Sequence, residues 1–422
     1  MTRSLGKVGK GAAILFVGTI FGIFINFLAR IVIARFYSPL DYGLFSLFFT
    51  ILSISVGIGM IGLRNGISRF IGYYLGSGER SKIKAVEGWG ILLGATSGVV
   101  FGTILFLLSP YIALIFSEKK VFIDYLRIAA VTLPFYTVLN SLMSVFRGYQ
   151  MVKEKIIFYD VGRNILFFLL SLLTGIFALP FIGVIWSMFV ATVVMTVSFF
   201  VYYLAKNKKI LKDTGLFNFK RSIGRNVLLF SLPLLLVDIL YQIMGWADTI
   251  MIGIFDTEEA VGFYNIARPL SNFISMGLSV SLFVYTPLIA GLYAKKKFKE
   301  NNIIFTSLTK WICFLTLPLA MILFFYSNTI ISTLFGDEYL QAVWPLRILV
   351  IVYFLHTFLG PNGATLTAYG KIRYLMYTTT LSAAMNIILN FFMIPIYGII
   401  GAAIATGISI LSINLFRVYY LN

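Results

Sequence analysis

The sequence has little charge, one cysteine and one histidine. Only 12% of its 422 residues are charged, against about 25% in a soluble globular domain. The chain therefore has too few charges to cover a globule with polar surface. A single cysteine, Cys313, excludes a disulfide scaffold. A single histidine, His356, excludes a histidine-based metal site and a nucleophile–histidine–acid catalytic set.

Long polar segments are also missing. Between the apolar runs no loop exceeds about 25 residues, and segments this short leave no room for a soluble catalytic domain. The sequence also lacks the metal-binding acidic motif that membrane glycosyltransferases usually need. It therefore predicts a protein that is not an enzyme and that holds no metal and no cofactor.

The glycine patterns indicate packing rather than nucleotide binding. GIGMIG at 57–62 has the spacing of a dinucleotide loop, but it lies inside an apolar run with no strand before it. GKVGKGA at 6–12 lacks the Ser or Thr of a phosphate-binding loop. A glycine recurs every four residues along the third apolar run, which predicts close helix contact; these are Gly90, Gly94, Gly98 and Gly102.

What the sequence does contain is apolar residues in long blocks. They make up 59% of the chain, and the blocks are about 20 residues long, enough to cross the hydrocarbon core of a bilayer as a helix. The pattern predicts an all-α polytopic membrane protein with about twelve transmembrane helices, located in the cell (plasma or inner) membrane. The predicted spans are 12–33, 43–63, 88–108, 125–146, 158–178, 182–204, 227–250, 263–290, 304–326, 344–366, 374–395 and 399–419.

The basic residues are distributed asymmetrically between the loops. The net charge of +18 would suggest nucleic acid as a partner in a soluble protein. With the N-terminus inside, however, 26 Lys and Arg fall in inside segments, Arg163 among them, against three in outside loops. The positive-inside rule then places both termini in the cytoplasm. The expected partners of these charges are membrane lipids, not nucleic acid.

A repeat divides the chain into two halves. Three pairs of segments match in the same order at offsets of 215 to 220 residues: FYSPLDYGLF at 36–45 with FDTEEAVGFY at 255–264, SPYIALIFS at 109–117 with SNTIISTLFG at 327–336, and LPFIGVIWS at 179–187 with IPIYGIIGA at 394–402. Six spans per half give both repeats one orientation. This is typical of transporters in which two parallel lobes enclose a central cavity that opens on alternate sides.

The repeat predicts three regions along the chain. These are an N-terminal six-helix lobe at 1–204, a basic cytoplasmic linker at 205–226 and a C-terminal six-helix lobe at 227–422. The linker holds seven Lys and Arg, which we expect to lie against anionic headgroups.

Charged and polar residues inside the spans are the candidate functional groups, because a charge at mid-helix costs about 2.5–3.5 kcal/mol. Arg30 follows Asn26 by one turn on the first span. The seventh span carries Asp238 with Gln242 one turn on, and Asp248 near its outer end. The four arginines toward the outer side could line a cationic cavity for a phosphate-bearing headgroup; these are Arg30, Arg127, Arg268 and Arg347.

Each of these residues also has a structural interpretation. Arg127 and Arg347 lie one turn from the outer interface and could reach the headgroups by extending their side chains. Asp248 could pair with Arg268 or Arg30 as a structural lock instead of binding substrate or an ion. The weaker cavity candidates Asn386 and Asn390, one turn apart, could form hydrogen bonds between helices.

Three segments together resemble a known family over nearly the whole chain. These are LARIVIARFYSPLDYGLFSL at 28–47, ADTIMIGIFDTEEAVGFYNIARPL at 247–270 and IPIYGIIGAAIAT at 394–406. They are similar to the polysaccharide-export and oligosaccharide-lipid flippases of the multidrug/oligosaccharidyl-lipid/polysaccharide exporter superfamily. The resemblance implies two six-helix lobes and a polyprenyl- or dolichyl-linked (di)phosphate oligosaccharide as substrate. The protein would flip it from the cytoplasmic to the outer leaflet by alternating access, with glycan-assembly enzymes as expected partners.

The resemblance also implies site residues. In lipid II flippases, arginines on the first and eighth helices bind the diphosphate, and by motif Arg30 and Arg268 take those places, with Asn26 and Asn265 beside them. Arg35 and, six residues later, Asp41 match a gate position at the end of the first helix. The lipid II flippases carry two further C-terminal helices, so we expect a glycan other than the peptidoglycan precursor.

One alternative function stays open at this point. A proton- or sodium-coupled multidrug or organic-cation antiporter of the same superfamily has the same twelve helices, and it would favour acids in the cavity, such as Asp238 and Asp248. For either function the sequence leaves the coupling ion open, sodium or a proton. Gate or ion-coupling roles are expected for Arg35, Asp41, Asp238, Gln242 and Asp248.

Overall fold

In the computed structural model, which describes residues 2–117, 119–210 and 219–421, the apolar runs form long helices. Within these ranges the structure contains no β-strand, which confirms the predicted all-α class. The first half contains α1 (Thr2–Phe36), α2 (Pro39–Gly59), α3 (Leu63–Gly76), α4 (Arg80–Phe116), α5 (Val121–Gly148), α6 (Val152–Lys155), a π-helical turn (Ile156–Gly162), α7 (Arg163–Ile176) and α8 (Ile182–Ile210).

The second half begins with the long helix α9 and ends with a helix of 50 residues. Its elements are α9 (Arg221–Phe255), α10 (Glu258–Ala294), α11 (Phe298–Phe325), α12 (Ser327–Leu334), a 3-10 turn (Asp337–Ala342), α13 (Val343–Phe358), α14 (Asn362–Ala368) and α15 (Ile372–Leu421). Within the described ranges, eleven helical segments are long and apolar enough to cross a membrane. The protein is therefore a multi-pass membrane protein.

The last helix, α15, holds two of the predicted spans. A continuous helix of 50 residues would be about 75 Å long, far more than the roughly 30 Å of a bilayer core. At Gly398, however, the backbone takes non-helical angles, φ 55° and ψ −137°. Counted on both sides of this break, the described residues form twelve apolar segments, in agreement with the prediction. The orientation of the termini stays a prediction.

The chain forms two compact units, and α2 and α9 each contribute to both. Unit 1 contains Met1–Tyr37 and Phe48–Ile243, and unit 2 contains Ser38–Leu47 and Met244–Asn422. The predicted division at 205–226 stays a prediction. Residues 211–218 of that linker, and the outer-loop residue Glu118, lie outside the described residues.

In unit 1 the glycine stripe on α4 packs closely against α5, as predicted. A Cβ on Gly94 would lie 2.2 Å from the Ser141 hydroxyl, and one on Gly98 would lie 2.8 Å from the backbone of Pro134. Since real Cβ contacts are longer than 3 Å, only glycine permits this helix spacing.

In unit 2 the starts of α2 and α10 contact each other reciprocally. A Cβ on Gly43 would lie 1.7 Å from the carbonyl oxygen of Glu258, and one on Gly262 would lie 2.6 Å from that of Pro39. Gly43 and Gly262 are 219 residues apart, and so are Pro39 and Glu258. Equivalent residues of the two sequence repeats thus exchange the same contact within unit 2.

The Gly43 contact gives a stability prediction. We expect Gly43→Ala to lower the free energy of unfolding by about 1–3 kcal/mol, because the new methyl group meets a backbone carbonyl that cannot rotate away. The thermal unfolding temperature of the purified protein in detergent measures this. Gly291→Ala on α10 is the matched control, since nothing lies within 4 Å of its added Cβ. Equal unfolding temperatures for the two variants would contradict the close contact.

Candidate functional site

Asp248 is the centre of a buried polar cluster in unit 2. Its side chain is 8% exposed. One carboxylate oxygen, Oδ1, accepts from Nδ2 of Asn386 at 3.1 Å and of Asn390 at 2.8 Å. The other, Oδ2, accepts at 2.7 Å from the Tyr264 hydroxyl and at 2.7 Å from the Thr406 hydroxyl. Four donors therefore replace the water that this carboxylate loses inside the membrane.

The break in α15 assembles this cluster. Asn386 and Asn390 are one turn apart before Gly398, and Thr406 lies after it. The break turns the chain so that the Thr406 hydroxyl lies 3.2 Å from Asn386 Nδ2. Hydrogen bonding by the asparagine pair between helices is thus confirmed. The contact of Thr406 with Asp248 could not be predicted from the sequence, because a threonine in an apolar helix usually forms a hydrogen bond with its own backbone.

Arg268 lies beside the Asp248 cluster on α10. It is half-buried, hydrogen-bonds with Tyr353 of α13 and is attracted by the Asp248 carboxylate. Its guanidinium also lies 5.7 Å from the ring centroid of Trp246, at cation–π distance. A direct ion pair between Asp248 and Arg268, one of the sequence alternatives, stays a prediction.

Arg30 lies in unit 1, on α1. Its Nε donates to Oδ1 of Asn26 at 3.3 Å, which confirms the polar stripe of that helix. Its guanidinium lies 5.5 Å from the ring centroid of Phe49. The half-buried Arg30 is thus oriented by an amide and an aromatic face, in the way that Arg268 is oriented by a tyrosine and a tryptophan.

The two predicted gate residues lie at helix ends. Arg35 is exposed in the last turn of α1, where the partial negative charge of the helix end favours a cation. Asp41 lies in the first turn of α2: the Ser38 hydroxyl donates to its carboxylate at 2.7 Å, and the Asp41 amide donates back to that hydroxyl at 3.2 Å. This reciprocal bonding is a helix cap. A gate role for either residue stays a prediction.

Asp238 and Gln242 lie in the part of α9 that belongs to unit 1. Gln242 donates from Nε2 to the carbonyl oxygen of Ser53 at 2.8 Å, which ties α9 to α2. Asp238 is half-buried and is attracted by Arg64 of α3. Arg64 directly follows the predicted span 43–63, and its attraction for Asp238 was not predicted from the sequence.

Arg127 and Arg347 have local partners. Arg127 is exposed and pairs with Asp124 at 3.6 Å. Arg347 donates from Nε to the Ser327 hydroxyl at 2.7 Å and to the carbonyl of Phe324 at 3.2 Å. Contact of either arginine with the headgroups, the structural alternative from the sequence, stays a prediction.

Asn265 is 3% exposed, and both polar atoms of its side-chain amide form hydrogen bonds. Its Oδ1 accepts from the Thr249 hydroxyl at 3.2 Å, and its Nδ2 donates to the carbonyl of Val261 at 2.9 Å. The structure therefore uses Asn265 to join α9 and α10. Its predicted contact with substrate stays a prediction.

Arg163 lies within the fifth predicted span, at its edge, and was counted with the inside basic residues. In the structure it lies at the start of α7 and is 6% exposed. Its guanidinium donates to the Tyr136 hydroxyl and, at 3.1 Å, to Oδ1 of Asn164, and it lies 5.2 Å from the Tyr159 ring centroid. A π-helical turn, which the sequence did not predict, directly precedes it.

Comparison with known families identifies the chain. A family model described as polysaccharide biosynthesis protein matches residues 8–293, and the MatE model matches residues 233–392. The chain belongs to the polysaccharide biosynthesis protein family. This confirms the resemblance that the sequence motifs indicated.

Its relatives include archaeal and bacterial membrane proteins. An uncharacterised membrane protein of Methanocaldococcus jannaschii is 24% identical over 419 residues, 94% of this chain and 80% of the relative. A probable low-salt glycan biosynthesis flippase of Haloferax volcanii is 28% identical over 42% of this chain and 38% of its own. A teichuronic acid biosynthesis protein of Bacillus subtilis is 32% identical over 31% of this chain and 27% of its own.

Solved structures share the fold. An inward-facing multidrug resistance MATE family transporter of the MOP superfamily aligns with a TM-score of 0.75 at 14% identity, over 97% of both chains. The lipid II flippase MurJ, in an inward closed conformation, aligns with a TM-score of 0.75 at 15% identity, over 97% of this chain and 87% of its own. The polysaccharide biosynthesis protein described here therefore has the fold of the MOP superfamily of transporters.

The Asp248 cluster gives a second stability prediction. We expect Asp248→Ala to lower the free energy of unfolding by about 3 kcal/mol or more, because four buried donors lose their acceptor. Asp248→Asn, which keeps one acceptor oxygen, is expected to cost less. Thermal unfolding in detergent measures both variants.

The matched control is Asp256→Ala, an exposed aspartate next to the end of the same helix. Its carboxylate accepts one hydrogen bond, from the Thr257 amide, so we expect a loss of about 1 kcal/mol or less. An Asp248→Ala variant as stable as this control would contradict the central place of Asp248 in unit 2.

Proposed function

We propose that this protein is a flippase that moves a polyprenyl- or dolichyl-linked (di)phosphate oligosaccharide from the cytoplasmic to the outer leaflet by alternating access. The observation that carries the proposal is the pair Arg30 and Arg268. Each is a half-buried guanidinium on a membrane span of its own unit, Arg30 beside Asn26 and Arg268 beside Tyr353. The proposal makes the protein a transporter, not an enzyme.

The chemistry of these arginines fits a phosphate-bearing headgroup. A guanidinium has five N–H donors in a planar fork, and it binds phosphate oxygens through two parallel hydrogen bonds. The attraction is stronger at a half-buried site than in bulk water, because the effective dielectric constant is lower. A diphosphate that carries a bulky glycan can be anchored in this way through its phosphate oxygens.

The comparisons support a glycan as cargo. The chain belongs to a polysaccharide biosynthesis family, and a relative is named as a probable glycan biosynthesis flippase. A second relative is named for teichuronic acid biosynthesis. Glycan-assembly enzymes are accordingly the partners that we propose for this protein.

The test is transbilayer movement of a labelled lipid-linked oligosaccharide in proteoliposomes. We expect Arg30→Ala and Arg268→Ala each to lower the initial rate by about tenfold or more, the effect of losing one charge-assisted anchor. Arg127→Ala is the matched control, an exposed arginine paired with Asp124, and it should keep the wild-type rate.

Two outcomes would contradict the proposal in different ways. Wild-type rates in both Arg30→Ala and Arg268→Ala would show that neither arginine binds the headgroup. If the wild type moves no polyprenyl- or dolichyl-linked glycan but exports an organic cation in a manner that needs Asp238 or Asp248, the protein is an antiporter.

The attraction between Asp248 and Arg268 also suggests how an ion is coupled. A sodium ion at Asp248 would neutralise the carboxylate and weaken its attraction for Arg268, which would favour phosphate at that guanidinium. By linkage, bound phosphate would raise the affinity of Asp248 for the cation by the same factor. We therefore assign ion coupling to the Asp248 cluster and headgroup binding to Arg268.

This coupling gives a further prediction. Binding of a polyprenyl diphosphate to the wild type in detergent should tighten by about fivefold or more as sodium is added. In Asp248→Asn the affinity should not change with sodium. If the variant keeps the ion dependence of the wild type, Asp248 is not the coupling residue.

A further inference from the structure

Unit 2 contains a cavity of about 780 Å³, within the range of roughly 300–1,000 Å³ that is typical of ligand pockets. It lies where the end of α10 meets the start of α11, the end of α13, the helix α14 and the end of α15. All its lining residues belong to unit 2 and include Tyr293, Phe298, Asn301, Asn362, Tyr369 and Lys371.

Two lining asparagines are buried with unsatisfied amide atoms. Asn301 is 2% exposed, and neither its Oδ1 nor its Nδ2 has a hydrogen-bond partner in the described part of the chain. Asn362 is 1% exposed; its Nδ2 donates to the carbonyl of Leu359, but its Oδ1 has no partner there. Because an unpaired buried amide destabilises the folded state, these atoms indicate a ligand that supplies the missing donors and acceptors.

Aromatic rings form another part of the wall. Tyr293 stacks on Tyr369 with ring centroids 4.1 Å apart, and Phe298 meets Tyr293 edge-on at 5.8 Å. The Tyr285 hydroxyl and the Thr365 hydroxyl hydrogen-bond each other at 2.8 Å. The wall therefore combines flat apolar faces with hydroxyl and amide groups.

This combination fits a sugar ring. A pyranose presents a face of C–H groups that packs on an aromatic ring, and its hydroxyls each donate and accept, like the two atoms of an amide. Lys371 is the single cation among the lining residues, so an anion would have few partners. An acyl chain would leave the asparagine amides unpaired.

The location of the cavity indicates when the ligand binds. Its walls come from segments next to 291–303 and 367–373 and from the end of α15, all of which the distribution of Lys and Arg predicts to be cytoplasmic. Under the proposed function, the lipid-linked glycan is presented on that side of the membrane. A sugar site there would select the glycan before translocation.

We propose that this cavity, which we call the Asn301 cavity, binds a sugar ring of the glycan on the cytoplasmic side. The binding of a sugar rests on the cavity alone, whereas its origin from a lipid-linked glycan rests on the proposed function. The same aromatic and amide groups would also bind a free sugar of the cytoplasm. The second experiment below distinguishes a free sugar from the sugar of a lipid-linked glycan.

The first experiment measures sugar binding to the full-length protein in detergent. A panel of methyl glycosides and soluble disaccharides is the probe, and saturation-transfer NMR and calorimetry are the readouts. We expect at least one sugar to bind the wild type, and Asn301→Leu and Tyr369→Ala to weaken it by about tenfold or more. Asn328→Leu and Tyr377→Ala, both exposed and away from the cavity, should bind as the wild type does.

Thermal unfolding separates a binding role from a structural one. Asn301→Leu replaces an unpaired amide with an apolar side chain, so the variant should unfold at the same or a higher temperature than the wild type while it loses the sugar. A lower unfolding temperature would show that Asn301 serves the packing of unit 2, and it would overturn the assignment of this residue.

The second experiment distinguishes the source of the sugar. In the proteoliposome assay, the sugar that binds the cavity should compete with the lipid-linked glycan, and Asn301→Leu should alter which glycans are moved. Binding without competition would indicate a free sugar as ligand. If no sugar of the panel binds and Asn301→Leu keeps the glycan preference, the cavity proposal is wrong while the flippase stands. If sugars bind through Asn301 but no glycan is moved, the proposed function fails and the cavity stands.

Discussion

A charge inside a membrane must find its partners within the protein, and the organisation of unit 2 depends on how Asp248 does so. Its two carboxylate oxygens collect four hydrogen bonds from three stretches of helix. The same carboxylate attracts Arg268. Because each donor would otherwise lie unpaired in an apolar environment, the cluster fixes the relative positions of α9, α10 and the two segments of α15.

The contacts of Arg30 and Arg268 differ in kind from those of Asp248. Asp248 accepts four hydrogen bonds from uncharged donors, whereas the contacts of Arg30 and Arg268 include an amide, a phenol and aromatic faces. A guanidinium is suited to binding an anion with several oxygens.

Much of the architecture could be predicted from the sequence because membrane spans are local features. The apolar blocks gave the twelve segments, and the repeat gave the equivalence of Gly43 and Gly262, which the structure places in reciprocal contact. The i, i+4 spacing of Asn26 and Arg30 was sufficient to predict their hydrogen bond.

The remaining parts of the site depend on contacts between distant residues. Thr406 joins Asp248 across 158 residues, a separation that no local pattern reports. The buried contacts of Arg163 with Tyr136 and Asn164 were missed because they depend on how α7 packs. The Asn301 cavity was missed because its walls come from five separate helices, α10, α11, α13, α14 and α15.

Photo-crosslinking tests the central claim most directly. A polyprenyl diphosphate oligosaccharide with a diazirine next to the diphosphate would be bound to the reconstituted protein, irradiated and mapped by peptide mass spectrometry. The account predicts labels on the segments around Arg30 and Arg268, and their loss when unlabelled polyprenyl diphosphate competes. Labels confined to other helices, such as α11, or labels that persist under competition, would contradict the assignment of these arginines to the headgroup.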